Sequence, residues 1–511
     1  MTGRIGLLFA VICISVNTYI RLTDVTEAPL EYQDNLEAVA ELFRVRTVEC
    51  LIHADITKTQ DLLLETLILH SHVEYTSENE GSKESMLLFS MIARLAVTQG
   101  YHRDPEQHSN LTVFQAEMRR RVWDVMNQYE LCFSAQYGIP KIIRYAEVDT
   151  KPVSNLHEHE LFEEMSVLPP SKPISEKTEI GYQIVICEVM RGYGRVIEFL
   201  HLVAPQPYEA VMKLDESLMK MREEVPAHLH LKSLQEMHGD ASHVILERYV
   251  IQQFYHKSIC VLHRKYWNVA SLEPGGLYSR FTCVASAISL LDLQATMHEA
   301  SVPGGLLEKI KWYHFSIANH DFLLAAMILS LDLVCEQKSV DEEAAKTTYL
   351  SWATPSEKIL TLKRSLAVWT DVAEECSDAK RAIHIFNAVL KELRSKPEYS
   401  QFFSPQPDPL PSLTAVQKDP AAGSAQPENA GQWNTDPFFQ KQFSISVPGT
   451  GIPGNEDTVA ASENFNGNSL ALDGGLWEAF GTDMDLPTDF DWEAWDQFIN
   501  GNVAQPPISL D

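Results

Sequence analysis

The sequence predicts an all-α fold, a large multi-helix domain followed by a disordered acidic tail. Apolar residues recur at three- and four-residue spacing through most of residues 1–396, and no series of alternating apolar and polar stretches announces a sheet. From Pro397 the composition changes abruptly to Pro, Ala, Gly, Gln, Asn and Ser without a period, which is the composition of a chain that cannot bury enough apolar surface to fold. The charge shifts at the same point. Of a formal net charge of −29, the stretch after Pro397 holds seventeen Asp and Glu against Lys418 and Lys441, a net of −15. The chain therefore divides into a helical domain over 1–396, a linker over 397–472 and an acidic-aromatic segment over 473–511.

Taken in order, the helical domain opens on Ile5, Leu7, Leu8, Phe9, Ala10, Val11 and Ile12 behind Arg4. Such a run also suits a signal peptide. It is too short to span a bilayer, however, and Asn17 to Arg21 offers no small-x-small cleavage site, so a buried helix is the expectation. Leu36, Val39, Leu42, Phe43 and Val45, then Leu62 to Leu69, predict buried antiparallel helices. The next helix begins near Ser82, carries Met86, Leu87, Phe89, Ile92, Leu95 and Ala96, and stops at Gly100, which can take the left-handed C′ conformation. After a connector over 101–111, Thr112 and Gln115 have the spacing of a capping box. Capping explains Thr112 better than the glycosylation sequon Asn110-Leu111-Thr112. The helix that follows is predicted to bury Phe114, Met118, Val122, Val125, Met126, Tyr129 and Phe133 as one stripe.

Residues 153–172 read as a surface loop rich in Pro, Ser, His and Glu. Helical patterning resumes near Ser175 and continues over 182–202, 208–225, 244–263 and 281–299, with Pro-Gly punctuation at Pro274-Gly275-Gly276 and Pro303-Gly304-Gly305. The run from His314 to Leu333 is apolar almost all round and predicts a central core helix. Asp321 and Asp332 interrupt it, leaving about ten apolar-rich residues between them, too few for a membrane span.

Residues 82–155 carry most of the functional information. The turn holds Gly100, Tyr101, His102, Arg103 and Asp104, and the second helix holds Glu117, Arg119, Arg120, Arg121 and Trp123. Glu117 stands three and four residues before Arg120 and Arg121, the spacing of intrahelical ion pairs worth about 0.2 to 0.5 kcal/mol each when exposed. Three arginines after one glutamate leave spare guanidinium donors, and Asp104 supplies a carboxylate across the turn. Asp104 and Glu117 are thus expected to pair with the arginines and fix the angle between the two helices.

Glycine-aromatic-His-Arg-Asp at 100–104, Glu-x-Arg-Arg-Arg-x-Trp at 117–123, then Gly138-Ile139-Pro140 and the stretch from Asp149 to Asn155, in this order, resemble the regulatory domain of fungal-specific transcription factors, the middle homology region of binuclear-zinc-cluster activators. Leu7 to Ile12 is similar to that domain's opening buried helix, 314–333 to its late core helix, and 366–369 with 377–383 to its last helical pair. The resemblance implies a nuclear regulator of a metabolic or biosynthetic gene set. It also implies zinc-dependent DNA binding, dimerisation through a coiled coil beside the zinc cluster and, in some members, a small-molecule effector within the helical core.

The residues qualify that implication. A binuclear cluster needs six closely spaced cysteines, whereas Cys13, Cys50, Cys132, Cys187, Cys260, Cys283, Cys335 and Cys376 are scattered and read as buried thiols in a reducing compartment. Zinc is therefore expected only in a cluster upstream of Met1, and DNA contact only through such a module or a partner's. The net charge of −29 agrees, because neutralising phosphates needs clustered Lys and Arg. Nothing in the sequence supports catalysis. His102-Arg103-Asp104 lacks the Asn that a kinase loop would place at Ser109, and no nucleophile elbow, Walker loop or dinucleotide fingerprint occurs. The pairs His70/His72, His157/His159 and His228/His230 lack partner ligands and read as ordinary histidines.

In the tail, Trp477, Phe480, Phe490, Trp492, Trp495 and Phe498 stand among Asp and Glu, with no Lys or Arg after Lys441. Carboxylate repulsion keeps such a segment open while its rings remain available. As a helix it would align Trp492, Trp495 and Ile499 on one face, the arrangement of a peptide that docks in an apolar groove with a basic rim. This is what an activation segment needs in order to recruit a coactivator or the general transcription machinery. The alternative reading is a helical scaffold or repressor-type partner of another regulator.

Overall fold

The computed structural model describes residues 2–21, 35–55, 60–77, 83–107, 111–266, 274–335, 353–373 and 377–395, together with positions 399 and 402. These residues form twelve α-helices and no strand. Almost all of the linker, the acidic-aromatic segment with its six rings, and Asn110 lie outside the described residues.

The N-terminal layer consists of α1 (Thr2–Arg21), α2 (Leu36–His53), α3 (Leu63–Ser77), α4 (Lys83–Thr98) and α5 (Val113–Gln136). Small residues bring α1 close to its neighbours. A Cβ on Gly3 would fall 2.3 Å from the Asp61 carbonyl oxygen, and one on Gly6 would lie 3.2 Å from both Cys50 and Thr66. The structure corrects two expectations here. The 18-residue stretch Gly3–Ile20 is long and apolar enough to cross a membrane by length and composition, and only 22% of it is buried. Ser15 and Thr18 extend the apolar run because their hydroxyls donate to the carbonyls of Val11 and Ile14 one turn back. Leu42 and Val45, predicted to be buried, are exposed, because α2 turns Leu36, Ala40 and Thr47 inward instead.

Leu63, Leu64, Leu67, Phe89, Ile92, Trp123, Met126 and Phe133 make a first core between α3, α4 and α5. Phe89 stacks on Tyr129 and Phe133 at 4.5 and 4.9 Å. The predicted stripe on α5 is only partly buried. Met118 is exposed, while Glu117, Arg120 and Glu130 are buried beside Trp123, because that face packs against polar backbone as well as apolar side chains.

The second, larger core gathers α6 (Gly181–Leu200), α7 (Tyr208–Glu223), α8 (Ser242–His263), α9 (Pro274–Ser301), α10 (Lys311–Cys335), α11 (Pro355–Asp371) and α12 (Ser377–Ser395). Helix α5 joins both, since Leu131 belongs to the larger core and Phe133 to the smaller. Helix α9 starts at Pro274 rather than Phe281, since proline is tolerated at the first helical position. The aspartates that interrupt α10 are interior cross-links. Asp321 meets Lys257 at 2.6 Å and Gln253 at 2.7 Å on α8. Asp332 meets Arg280 on α9 at 2.6 Å and Lys358 on α11 at 2.5 Å.

Two boundaries also move. The 153–172 stretch is not simply surface, since Val153, Asn155, Leu156 and Met165 are buried. The helical domain reaches past residue 396, where the Tyr399 hydroxyl donates to the Leu333 carbonyl at 3.0 Å and Lys363 donates to the Phe402 carbonyl at 2.7 Å.

Candidate functional site

The turn between α4 and α5 is built from both ends. Gly100, at φ 75°, terminates α4, with Tyr101 N donating to Ala96 O and Gly100 N to Val97 O, both at 3.0 Å. This is the paired bonding of a Schellman motif. Thr112 and Gln115 start α5 with reciprocal bonds of 3.0 and 3.2 Å. Both ends being fixed, Asp104 is delivered to Arg120, which grips it through Nε–Oδ2 at 3.1 Å and Nη2–Oδ1 at 3.0 Å. The same carboxylate accepts the backbone N–H groups of Glu106 at 3.0 Å and Lys151 at 2.9 Å.

The rest of the signature surrounds this pair. Arg120 also meets Glu106 at 3.0 Å and Glu117 at 3.6 Å, and Arg121 meets Glu117 at 3.4 Å. Glu117, fully buried, accepts Ser154 N at 3.1 Å. Arg119 takes a separate course, donating to the Gln99 carbonyl and lying 3.8 Å over the Tyr101 ring. Arg103 reaches Asp149 at 3.3 Å on the surface, and Asp149 in turn accepts Asp104 N. The His102 carbonyl accepts Asp149 N, while its ring stands 6.5 Å from that of buried Trp123. The structure thus brings Gly100 through Asp104, Glu117, Arg119, Arg120, Arg121 and Trp123 into one fastening that locks α4, α5 and residues 149–154 together.

The electrostatics follow from burial and pairing. Burial alone would raise the Asp104 carboxyl, but the Arg120 hydrogen bonds and the Lys151 and Glu106 amides outweigh it and hold Asp104 below the usual carboxylate range. Burial lowers Arg119, whose head finds a carbonyl and a ring rather than a carboxylate.

Gly138 and Pro140 lie apart from this fastening, at the far end of α5. Gly138, at φ 63°, ends the helix with Ile139 N bonded to Ser134 O at 2.9 Å, and Pro140 is exposed. The chain beyond is held by two glutamates that the sequence reading missed. Glu130 accepts Ile142 N at 2.7 Å, and Glu198 accepts Tyr145 N at 3.3 Å and Lys141 Nζ at 3.4 Å. Glu130 could have been found as a charge inside a face otherwise set by Met126 and Phe133. Asn155 fastens the next stretch, donating to the carbonyls of Lys172, Pro173 and Glu176 and accepting from Thr178.

One arrangement has the distances of a nucleophilic triad. His263 stands 3.0 Å from Ser279 Oγ and 3.2 Å from Asp215 Oδ1. All three are buried, the Tyr208 hydroxyl is on Ser279 and the Tyr278 hydroxyl on Asp215, so the serine is sealed inside the α7–α8–α9 junction and acts as a polar cross-link. Asp104 is likewise committed to its four donors rather than available as a base. Among the described residues no group of three or more His, Cys, Asp and Glu side chains could hold a metal ion. His72 meets the Tyr129 hydroxyl, His157 meets Glu179, and His230 meets the Val225 carbonyl.

Residues 7–189, from α1 to the middle of α6, match the fungal specific transcription factor domain. Residues 7–189 belong to this family. The chain is 31% identical over 99% of its length to the Zn(2)-C6 fungal-type transcription factor mpsB of Macrophomina phaseolina, covering 66% of that protein. It is 30% identical over 77% of its length to the Zn(2)-C6 fungal-type transcription factor pigI of Monascus ruber, covering 47% of it. The equisetin cluster transcription factor eqxF of Fusarium heterosporum is 30% identical over 76% of the chain, which covers 55% of that relative. The chain thus spans between about half and two thirds of the length of these relatives. No solved structure matches it. Family and relatives are transcription factors rather than enzymes, in keeping with the sealed Ser279 cluster. Among the described residues no group fits the zinc of the relatives' names, because the cysteines described there sit singly on α1, α2, α5, α6, α8 and α9.

Proposed function

We propose that this chain is the regulatory and activating part of a nuclear transcription regulator that promotes RNA polymerase II transcription of a biosynthetic gene set. The reading rests on the family match together with relatives named for the equisetin, fusarisetin A and pyrrolocin clusters. The helical domain supplies a rigid body whose α4–α5 angle is fixed by the Asp104–Arg120 fastening. DNA is reached through a module outside the described residues or on a partner. The segment at 473–511 recruits a coactivator or the general transcription machinery through Trp477, Phe480, Phe490, Trp492, Trp495 and Phe498, since rings among carboxylates suit an apolar groove with a basic rim.

The test fuses residues 397–511 to a heterologous DNA-binding domain and measures reporter expression, beside a version with Trp492, Trp495 and Phe498 replaced by alanine. Activity that is lost in the alanine version is the expected result. Silence in both removes the activating role and leaves a regulator that acts as a scaffold or repressor-type partner.

A further inference from the structure

The irregular stretch between α5 and α6 holds apolar side chains in water on a backbone that is tied down. Asn155 donates to the carbonyls of Lys172, Pro173 and Glu176, and its own carbonyl accepts Lys172 N at 3.0 Å. Leu156 and Met165 are buried, and Met165 N donates to the Phe162 carbonyl at 3.2 Å to close a turn. Around that turn Phe162 is 54% exposed and Val167 76%, with half-buried Leu161 and Leu168 beside them. Buried Met165 and the Asn155 bonds keep this stretch from folding back over its own apolar side chains, so their cover has to come from outside the chain.

The charges beside these side chains indicate what that cover is. Residues 157–179 hold Glu158, Glu160, Glu163, Glu164, Glu176 and Glu179 against Lys172 and Lys177. Lys172 already meets Glu160 at 3.5 Å and Glu176 at 3.1 Å, and His157 meets Glu179 at 3.0 Å. Exposed Glu158, Glu163 and Glu164 take part in none of the ion pairs among the described residues. Carboxylates that lose water under an apolar cover need cations in exchange. A second copy of this chain would set the same glutamates against themselves, and the segment at 473–511, which has no Lys or Arg, would repel them too. Arginine suits the surface better than lysine, because a guanidinium forks onto a carboxylate and lies flat on an exposed phenylalanine ring.

We propose that residues 158–168 are a docking surface for an arginine-rich segment of a partner protein, whose apolar side chains cover Phe162 and Val167 while its guanidinium groups pair with Glu158, Glu163 and Glu164. With so few apolar anchors and its charges in the open, the contact is weak, reversible and sensitive to salt.

Fluorescence anisotropy on the full chain tests this. The probe is a labelled peptide in which arginine pairs alternate with single leucines, used beside the same peptide with serine for leucine. The leucine peptide is expected to bind, less tightly as salt rises. Phe162→Ser/Val167→Ser should weaken it roughly tenfold with the thermal midpoint unchanged, since both side chains already stand in water, and Glu163→Lys/Glu164→Lys should weaken it to a similar degree. Val203→Ser, at a fully exposed apolar residue on another loop, and Asp489→Lys/Asp491→Lys in the acidic tail should leave binding as it is. The serine peptide should bind more weakly and make no distinction between wild type and Phe162→Ser/Val167→Ser. A leucine peptide that fails to bind, that binds Phe162→Ser/Val167→Ser as tightly as wild type, or that loses as much affinity from Asp489→Lys/Asp491→Lys as from Glu163→Lys/Glu164→Lys would overturn the proposal.

Discussion

Replacing Arg120 by methionine keeps the aliphatic stem on α5 and removes the guanidinium, leaving Asp104 with two of its four hydrogen bonds. Its remaining donors are the amides of Glu106 and Lys151 at 3.0 and 2.9 Å. Removing one partner of a buried ion pair costs about 3 to 5 kcal/mol, and the two surviving amides place this case at the lower end, about 3 kcal/mol. The neighbouring pair Arg103–Asp149, with side chains 51% and 41% exposed, is worth at most about 1 kcal/mol. Urea unfolding of the full chain, followed by far-ultraviolet circular dichroism, should therefore separate Arg120→Met from Arg103→Met several-fold. Exchanging the charges, Asp104→Arg with Arg120→Asp, should not restore stability, because an arginine at 104 cannot accept the two amides. The pH dependence has a defined sign. The folded-state carboxyl of Asp104 lies below its unfolded value, so its contribution is present above about pH 4 and is lost as the pH falls through the folded value. The gap between wild type and Arg120→Met should narrow under acid. A cost below about 1 kcal/mol, or one equal to that of Arg103→Met, would refute the reasoning.

Two further outcomes follow from other buried charges. Asp124, lining a small polar cavity with Asn127, Tyr145, Cys187 and Arg191, is pushed up to about 6 by burial, partly offset by Arg191. The raised folded value means that stability falls as the pH rises from about 4 to 6, so Asp124→Asn should stabilise the chain near pH 7 by up to about 3 kcal/mol and lose that advantage near pH 4, as thermal melts at the two values would record. Lys358→Met leaves Asp332, fully buried, with Arg280 alone and should cost about 3 to 5 kcal/mol, against at most about 1 for Arg364→Met at the half-exposed pair with Asp292, by denaturant unfolding.

Local signals in the sequence were enough for the helices with strong punctuation. Gly100 marks the end of α4, and Thr112 with Gln115 marks the start of α5, because these depend on bonds between near neighbours. The pairing of Asp104 with Arg120 was also readable, since the two lie on either side of one turn. Long-range relations were not. Glu130, Glu198 and Asn155 act on backbone groups 12 to 53 residues away, and no periodicity reports such a bond. The exposure of Leu42 and Val45 was hidden for a related reason. Apolar periodicity shows that a helix has a face to cover, but not whether the cover lies within the same chain.

Helix α5 is a beam shared by both cores and clamped at each end. Near its N-terminus Arg120 is bolted to Asp104, and near its C-terminus Glu130 holds the backbone of Ile142. Rotation of this helix about its own axis would break both clamps and withdraw Leu131 and Phe133 from different cores at once. Helix α5 therefore cannot turn without disturbing both cores, so its orientation is set jointly by the two.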